Sequence, residues 1–363
     1  MQVDATFHAI LGAQLLECAY SGHAPGGGWS QGLPAKNENG ARLYLIPDAA
    51  ESDVLNYLAL SPHFPGYAQA FDMYEDMDSS YLMTLLVAFR IMGPSRVRLS
   101  ITPESYEKAM RDFADPLLVE PRTHTVDFPA LVLDHYNMAS AGIPLQLHTT
   151  RSALTAHCHL EQYAFRRRGV VVTVEPGDTV IDGGMCYGDT SLFFAHLAGE
   201  SGRVVGYEFE PGNLAIMADN FALNPGHAPR ITVRHNAVWN VSGDEPRFAL
   251  AGPATTVLHP GSETQLASMV VKTLTIDDLV AEEGLDRVDF IKLDVEGVEL
   301  QALQGAVDTL RRFRPKLALS AYHKPEDMYA LPGFLRSLDL GYRFWLDHFR
   351  PGGQETVIFA ACR

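Results

Sequence analysis

The segment "VIDGGMCYGDTS" at residues 180–191 constrains the fold more than any other stretch: a β-branched run, an acid at its end, a glycine-spaced turn, then a helix start. Thr179, Val180 and Ile181 read as a buried parallel strand with Asp182 at its carboxyl end. Open α/β sheets bind ligands at that end of their strands, so Asp182 stands where a nucleotide-type cofactor is met. Gly183, Gly184 and Gly188 permit tight turning and close approach of backbone to ligand.

Glycine spacing selects among cofactors. A dinucleotide fingerprint needs Gly-x-Gly-x-x-Gly to seat a pyrophosphate on a helix N-terminus, and this turn reads Asp-Gly-Gly-x-x-x-Gly instead. The next strand, "RVVGYEFEP" at 203–211, puts Glu208 at its carboxyl end, where a carboxylate can accept hydrogen bonds from both ribose hydroxyls. Asp182 and Glu208 alone suit either NAD or S-adenosylmethionine, and the loop shape favours the second. A third strand ends in "RHNAVW", which places Asn236 at an adenine edge or, equally well, in a hydrogen bond with its own turn.

From residue 170 onward strands and helices alternate in the rhythm of a parallel sheet. Strands are expected at 178–182, 203–208, 230–235, 288–294, 315–322, 341–347 and 355–361. The last two are joined by "HFRPGGQ", too short for a parallel crossover, so they must pair antiparallel.

Five segments in order, "PGDTVIDGGMCYGDTS", "GYEFEPGN", "DFIKLDVEGVELQALQGA", "RPKLALSAYHKPEDMYALPGFL" and "ETVIFA", resemble the FkbM family of S-adenosylmethionine-dependent methyltransferases over roughly residues 165–363. The resemblance implies a class I methyltransferase (Rossmann-like) α/β fold, with a seven-stranded sheet ending in an antiparallel hairpin. It also implies transfer to oxygen. The chain departs from the family pattern at Met185 and Cys186.

On this reading Asp182, Gly184 and Gly188 serve the methionine end of the cofactor, Glu208 the ribose and Asn236 the adenine. Asp294 ends the fourth strand over the expected acceptor site, and resemblance to the family motif makes it a catalytic candidate. Glu296 and Glu299, three apart, read either as site acids or as helix-start acids that complement the macrodipole. The fifth strand ends in "LALSAYHKPED", bringing His323 and Tyr322 beside Asp294. An imidazole suits a general base, or it could join Asp294 and Glu296 in holding Mg²⁺. His348 matches the family pattern and could close the site from the hairpin side. His157 and His159 in "AHCHL" have metal-compatible spacing on a strand or loop but lack further ligands nearby. Cys186 reads as packing against the ligand, and Trp345 as core or hairpin packing, with a place in the acceptor pocket as the lesser alternative.

The 363-residue chain has a net charge of -16 and no basic run beyond Arg166–Arg168, which argues against nucleic acid or an anionic membrane as partner. Four scattered cysteines, no secretory signal and no apolar stretch long enough for a bilayer point to reduced thiols in the cytoplasm. Residues 1–150 read as a separate, smaller and mostly helical domain, with a polar, Gly- and Pro-rich segment at 21–40. In it "DSSYLMTLLVAFRIMG" predicts a helix capped by Asp78 or Ser79 and stopped by Gly93, and "RVRLSITPESYEKAMRDFA" a short strand followed by a helix. This region would cover the active site, shape the acceptor pocket or form a homodimer contact, while residues 151–363 bind the cofactor. The function expected is methylation of a hydroxyl on a small molecule or sugar. N-methylation and a silent adenosyl-binding module are the alternatives, and a dehydrogenase ranks last.

Overall fold

The computed structural model describes residues 6–14, 35–36, 42–43, 49–126, 130–258, 261 and 264–362. Of the segment at 21–40 only Ala35–Lys36 falls within them, paired antiparallel with Arg42–Leu43.

Seven strands form the main sheet: β1 (Thr179–Gly183), β2 (Arg203–Tyr207), β3 (Ile231–Arg234), β4 (Phe290–Leu293), β5 (Lys316–Ser320), β6 (Tyr342–His348) and β7 (Thr356–Cys362). Their order is β3-β2-β1-β4-β5-β7-β6. The first five are parallel, while β7 runs antiparallel to both β5 and β6. Order reverses between β1 and β4, where two neighbouring strands send their connections to opposite sides and a crevice opens. Each strand lies within two residues of its expected bounds. Apolar side chains on both faces explain why: every residue of β1 and β4 is buried.

Before the sheet come helices at Ala49–Leu60, Phe64–Phe71, Met77–Met92 and Pro103–Phe113, then a three-stranded antiparallel sheet of Leu118–Val126, Leu131–Asn137 and Gln146–Thr149. Phe64, Phe71, Met83 and Leu86 share one apolar core with Leu335, Leu346 and Ile358. Tyr67 Oη donates to Pro325 O at 2.7 Å and Tyr74 Oη to Met328 O at 2.8 Å, so these helices grip the segment that follows β5. At the edge of the sheet, Tyr74 bridges Phe344 of β6 and Glu75 N donates to Phe344 O at 2.9 Å.

Three local expectations are corrected. The Met77–Met92 helix starts earlier than expected, because the Asp76 carboxylate, rather than Asp78 or Ser79, accepts the free Ser79 N–H at 2.7 Å. Gly93 does end it. The strand expected in "RVRLS" does not form. Val97 and Leu99 are buried in the main apolar core, and among the described residues no strand pairs with this stretch to complete a ladder. Thr102 then caps the next helix as the Thr-Pro pair implies. Finally, residues 155–159 are neither strand nor loop but one π-helical turn.

Candidate active site

A cavity of about 270 Å³ opens at the carboxyl ends of the parallel strands, on the crevice that the β1/β4 reversal creates. Glu208 follows β2 and reaches the wall nearly buried, at 7% exposure. Its Oε1 accepts the backbone N–H groups of Phe209 (2.7 Å) and Glu210 (2.8 Å), and Asn213 Nδ2 donates to Oε2 at 3.3 Å. Burial pushes this carboxyl up to about 7, although those hydrogen bonds pull it down. Asn236 also lines the cavity, with Nδ2 donating to Lys272 O at 3.0 Å. Phe209 and Phe248, ring centroids 4.7 Å apart, make an apolar wall at the same end.

Gly184 has φ +82°, and a Cβ there would lie 2.0 Å from Asp294 O. The glycine therefore lets the β1 turn press against the β4 turn beside the cavity. Gly188, expected at the cofactor, instead caps the helix Asp189–Ala198 and is not part of the cavity wall.

Asp182 differs from its expected role. It is fully buried and does not line this cavity: Thr190 Oγ1 (2.9 Å) and Ser191 Oγ (2.6 Å) donate to Oδ2, and Oδ1 stands 3.1 Å from Lys292 Nζ. In register, Lys292 of β4 faces Asp182 of β1. Its ammonium also donates to Gly183 O (3.1 Å) and Gly184 O (2.6 Å), tying down the turn. Burial alone would lower the Lys292 pKa, but Asp182 and Asp294 outweigh it and the net shift is upward.

Asp294 lines the cavity as expected, with both oxygens engaged. Tyr163 Oη donates to Oδ2 at 2.8 Å and Tyr322 Oη to Oδ1 at 3.1 Å. Burial would raise this carboxyl, yet Lys292, His323 and the Tyr163 hydrogen bond together hold it below the usual range. Both phenols are pushed well above theirs, chiefly by burial, and stay neutral donors.

His323 contradicts its expected part as a base. It stands behind the cavity wall, its Nδ1 2.8 Å from Glu299 Oε1 and its Nε2 3.6 Å from Asp294 Oδ1 and from Glu296 Oε1. Burial favours the neutral ring, but three surrounding carboxylates win and carry its pKa up to about 11. At neutral pH the ring already holds the proton that a base must lack.

The expected trio of Asp294, Glu296 and His323 does not converge as ligands. Among the described residues the atoms that do are those of Asp294, Glu299 and His323, all within 4.8 Å of one another. Such a set does not fit Mg²⁺, which wants oxygen donors and several waters. One of the set's two carboxylates, Glu299, is moreover sealed at 0% exposure.

Glu296 is not on a helix with Glu299. The helix begins at Glu299, while Glu296 occupies a left-handed turn at φ +53° and lines the cavity. Burial raises its carboxyl, partly offset by His323. His348 does not close the site: it is 2% exposed, its Nδ1 bonds Thr356 Oγ1 at 2.9 Å, and burial drives its pKa down to about 4. Trp345 packs in the core against Phe165. Cys186 lines the cavity with its thiol pushed well up by burial, which suits packing rather than attack.

Sequence reasoning passed over Lys292, Tyr163 and the pair His157–Asp189. The sign for Lys292 was a lysine inside the otherwise apolar "FIKL". His157 Nδ1 lies 3.2 Å from Asp189 Oδ2, and both line the cavity. His159, weighed beside it, stacks on Phe113. Tyr163 carried no signal, because its partner is far along the chain.

Residues 182–344 match the methyltransferase FkbM domain. No curated protein matches the chain. Among solved structures it is similar to methyltransferase FkbM from Methylobacillus flagellatus KT, at 18% identity and a TM-score of 0.53, over 85% of this chain and 62% of that one. This chain thus spans less than two-thirds of that protein's length. It is also similar to an O-methyltransferase from Bacillus cereus in complex with SAH (13% identity, 73% of this chain, 93% of that one, TM-score 0.35). A further similar structure is fibrillarin from Aeropyrum pernix with natively bound S-adenosyl-L-methionine (13% identity, 67% of this chain, 98% of that one, TM-score 0.34). Residues 182–344 thus match the FkbM methyltransferase domain, and the chain shares the fold of a class I methyltransferase with that solved FkbM protein.

Proposed function

We propose that this protein is an S-adenosylmethionine-dependent methyltransferase acting on a hydroxyl of a small molecule, with a sugar as the leading acceptor class. The observation that carries the cofactor half is Glu208, a nearly buried carboxylate at the carboxyl end of β2 that lines the cavity beside the apolar Phe209–Phe248 wall. A group with two adjacent hydroxyls and a flat heterocycle fits that pair of features.

Glu208 would hold the ribose hydroxyls and Asn236 the adenine edge, with the Gly184 backbone against the methionine end. Asp182 and Lys292 act from behind, by fixing the β1 turn. Bound there, S-adenosylmethionine supplies a methyl group on a positively charged, already electrophilic sulfur.

The remaining work falls to the acceptor side. Asp294, anchored by two neutral phenols, is a fixed carboxylate that orients an incoming hydroxyl. Glu296, whose carboxyl is raised and whose side chain is half-buried in the same wall, is the better proton acceptor, a role typically worth 10² to 10⁴-fold. Transfer to oxygen is favoured over nitrogen because the turn after β4 presents carboxylates, "DVEG", rather than an amide and an aromatic ring. The net charge of -16 supports a small acceptor over a nucleic acid.

Calorimetry of the purified protein with S-adenosylmethionine, S-adenosylhomocysteine and NAD tests the reading. Micromolar binding of the adenosyl pair without NAD is expected. Binding of none of the three would sink it.

A further inference from the structure

A second cavity, about 680 Å³, shares two wall residues, Glu296 and Val298, with the first. Its size lies within the range of small-molecule sites. Glu296 is therefore the one ionisable side chain common to both chambers.

The chemistry of the larger chamber is distinctive. Arg247 and Lys324 line it against the single carboxylate of Glu296, in a chain whose net charge is -16. Arg247 donates to Ser268 Oγ at 3.4 Å, and among the described residues neither cation forms an ion pair with a carboxylate. Trp239 adds a broad apolar face with one N–H, and Thr256 and Gln301 add uncharged donors and acceptors. Backbone geometry fixes the junction: Glu296 and Gly297 are consecutive at φ +53° and +91°, and Thr256 Oγ1 donates to Glu296 O at 3.4 Å. A non-glycine residue held left-handed costs conformational energy, and such strain gathers where a side chain must be aimed.

Building on the methyltransferase reading, we propose that this second cavity binds the methyl acceptor, a hydroxylated small molecule carrying a carboxylate or phosphate. The anion sits on Arg247 and Lys324, an apolar face of the molecule lies on Trp239, and the accepting hydroxyl reaches Glu296 at the shared wall. Sugar acids and sugar phosphates both have this chemistry.

The test is calorimetry on the full chain saturated with S-adenosylhomocysteine, using glucuronate, glucose 1-phosphate and uncharged methyl glucoside as probes. At least one anionic probe is expected to bind about tenfold more tightly than the neutral one, and comparing the two anions identifies which is meant. In the R247Q/K324Q double variant that advantage disappears while affinity for S-adenosylhomocysteine, which also reports intact folding, stays unchanged. Equal binding of charged and neutral probes, an advantage that survives in the double variant, or no probe binding to the loaded protein overturns the acceptor assignment and leaves the methyltransferase reading standing. Failure to bind S-adenosylhomocysteine removes that reading, and the proposal with it.

Discussion

Tyr163 Oη and Asp294 Oδ2 meet at 2.8 Å across 131 positions of chain, so a residue that precedes the sheet sets the orientation of the acid at the end of β4. Asp294 is held at both oxygens, and its carboxylate cannot swing without breaking a phenol hydrogen bond. Tyr163→Phe removes one of them at nearly constant volume. Turnover should fall by roughly ten- to a hundredfold, the equivalent of a hydrogen bond to a charged group, while cofactor affinity stays within twofold. Steady-state kinetics beside calorimetry checks both halves; a loss of cofactor affinity alone would assign Tyr163 to the other end of the cavity.

Glu296→Gln keeps the shape of the junction and removes the proposed proton acceptor. A fall in kcat of about 10² to 10⁴ is expected, with S-adenosylhomocysteine binding unchanged. Asp294→Asn provides the contrast. It should damage acceptor orientation, and its pH–rate profile should keep the ionisation that Glu296→Gln abolishes. Full activity in the Glu296 variant moves the proton to another group.

Glu208 has a carboxyl raised to about 7, chiefly by burial. On the proposed reading ribose hydroxyls would donate to the ionised form, so cofactor affinity should rise with pH through about 7 and level off above it. In Glu208→Gln the affinity should be weaker by about 1.5 to 3 kcal/mol at alkaline pH and independent of pH across this interval. A wild-type affinity that stays flat from pH 6 to 8 would detach Glu208 from the ribose.

His323 stabilises the fold as an imidazolium among Asp294, Glu296 and Glu299. Its folded pKa of about 11 lies above the unfolded value near 6.5. The contribution is therefore complete below the unfolded value and is lost as pH rises toward 11. His323→Gln should lower stability by about 3 kcal/mol at pH 6, because Glu299 is left buried without its cation. Urea titrations at pH 6 and 10 should show the deficit shrinking at the higher pH. A deficit that grows there would give the ring a neutral role.

What the sequence disclosed about this fold follows from what is local. β1 and β4 were visible because their residues are apolar on both faces, and the final hairpin because its connection is short. Glu208 and Asp294 were visible for the same reason: a strand end is a position along the chain. Asp182 was placed correctly on β1 but not in its role, since its partner Lys292 becomes a partner only through the register of β1 on β4. The roles of His323 and His348 were out of reach. Both are histidines at strand ends, yet one is driven up by three carboxylates and the other down by burial, and neither environment is written beside it in the chain. Glu296 was misassigned to a helix because helix periodicity cannot show that its backbone has turned left-handed.

The contact of Tyr74 and Glu75 with Phe344 also bears on how copies of this protein behave toward one another. β6 is the outermost strand on its side of the sheet, and its seven residues would otherwise offer unpaired N–H and C=O groups to any passing strand. A short parallel bridge from the helical region blocks the middle of that edge. The segment around Tyr74 thus guards the sheet against self-association, and a version of the chain begun after it would be expected to clump before it ever lost a catalytic group.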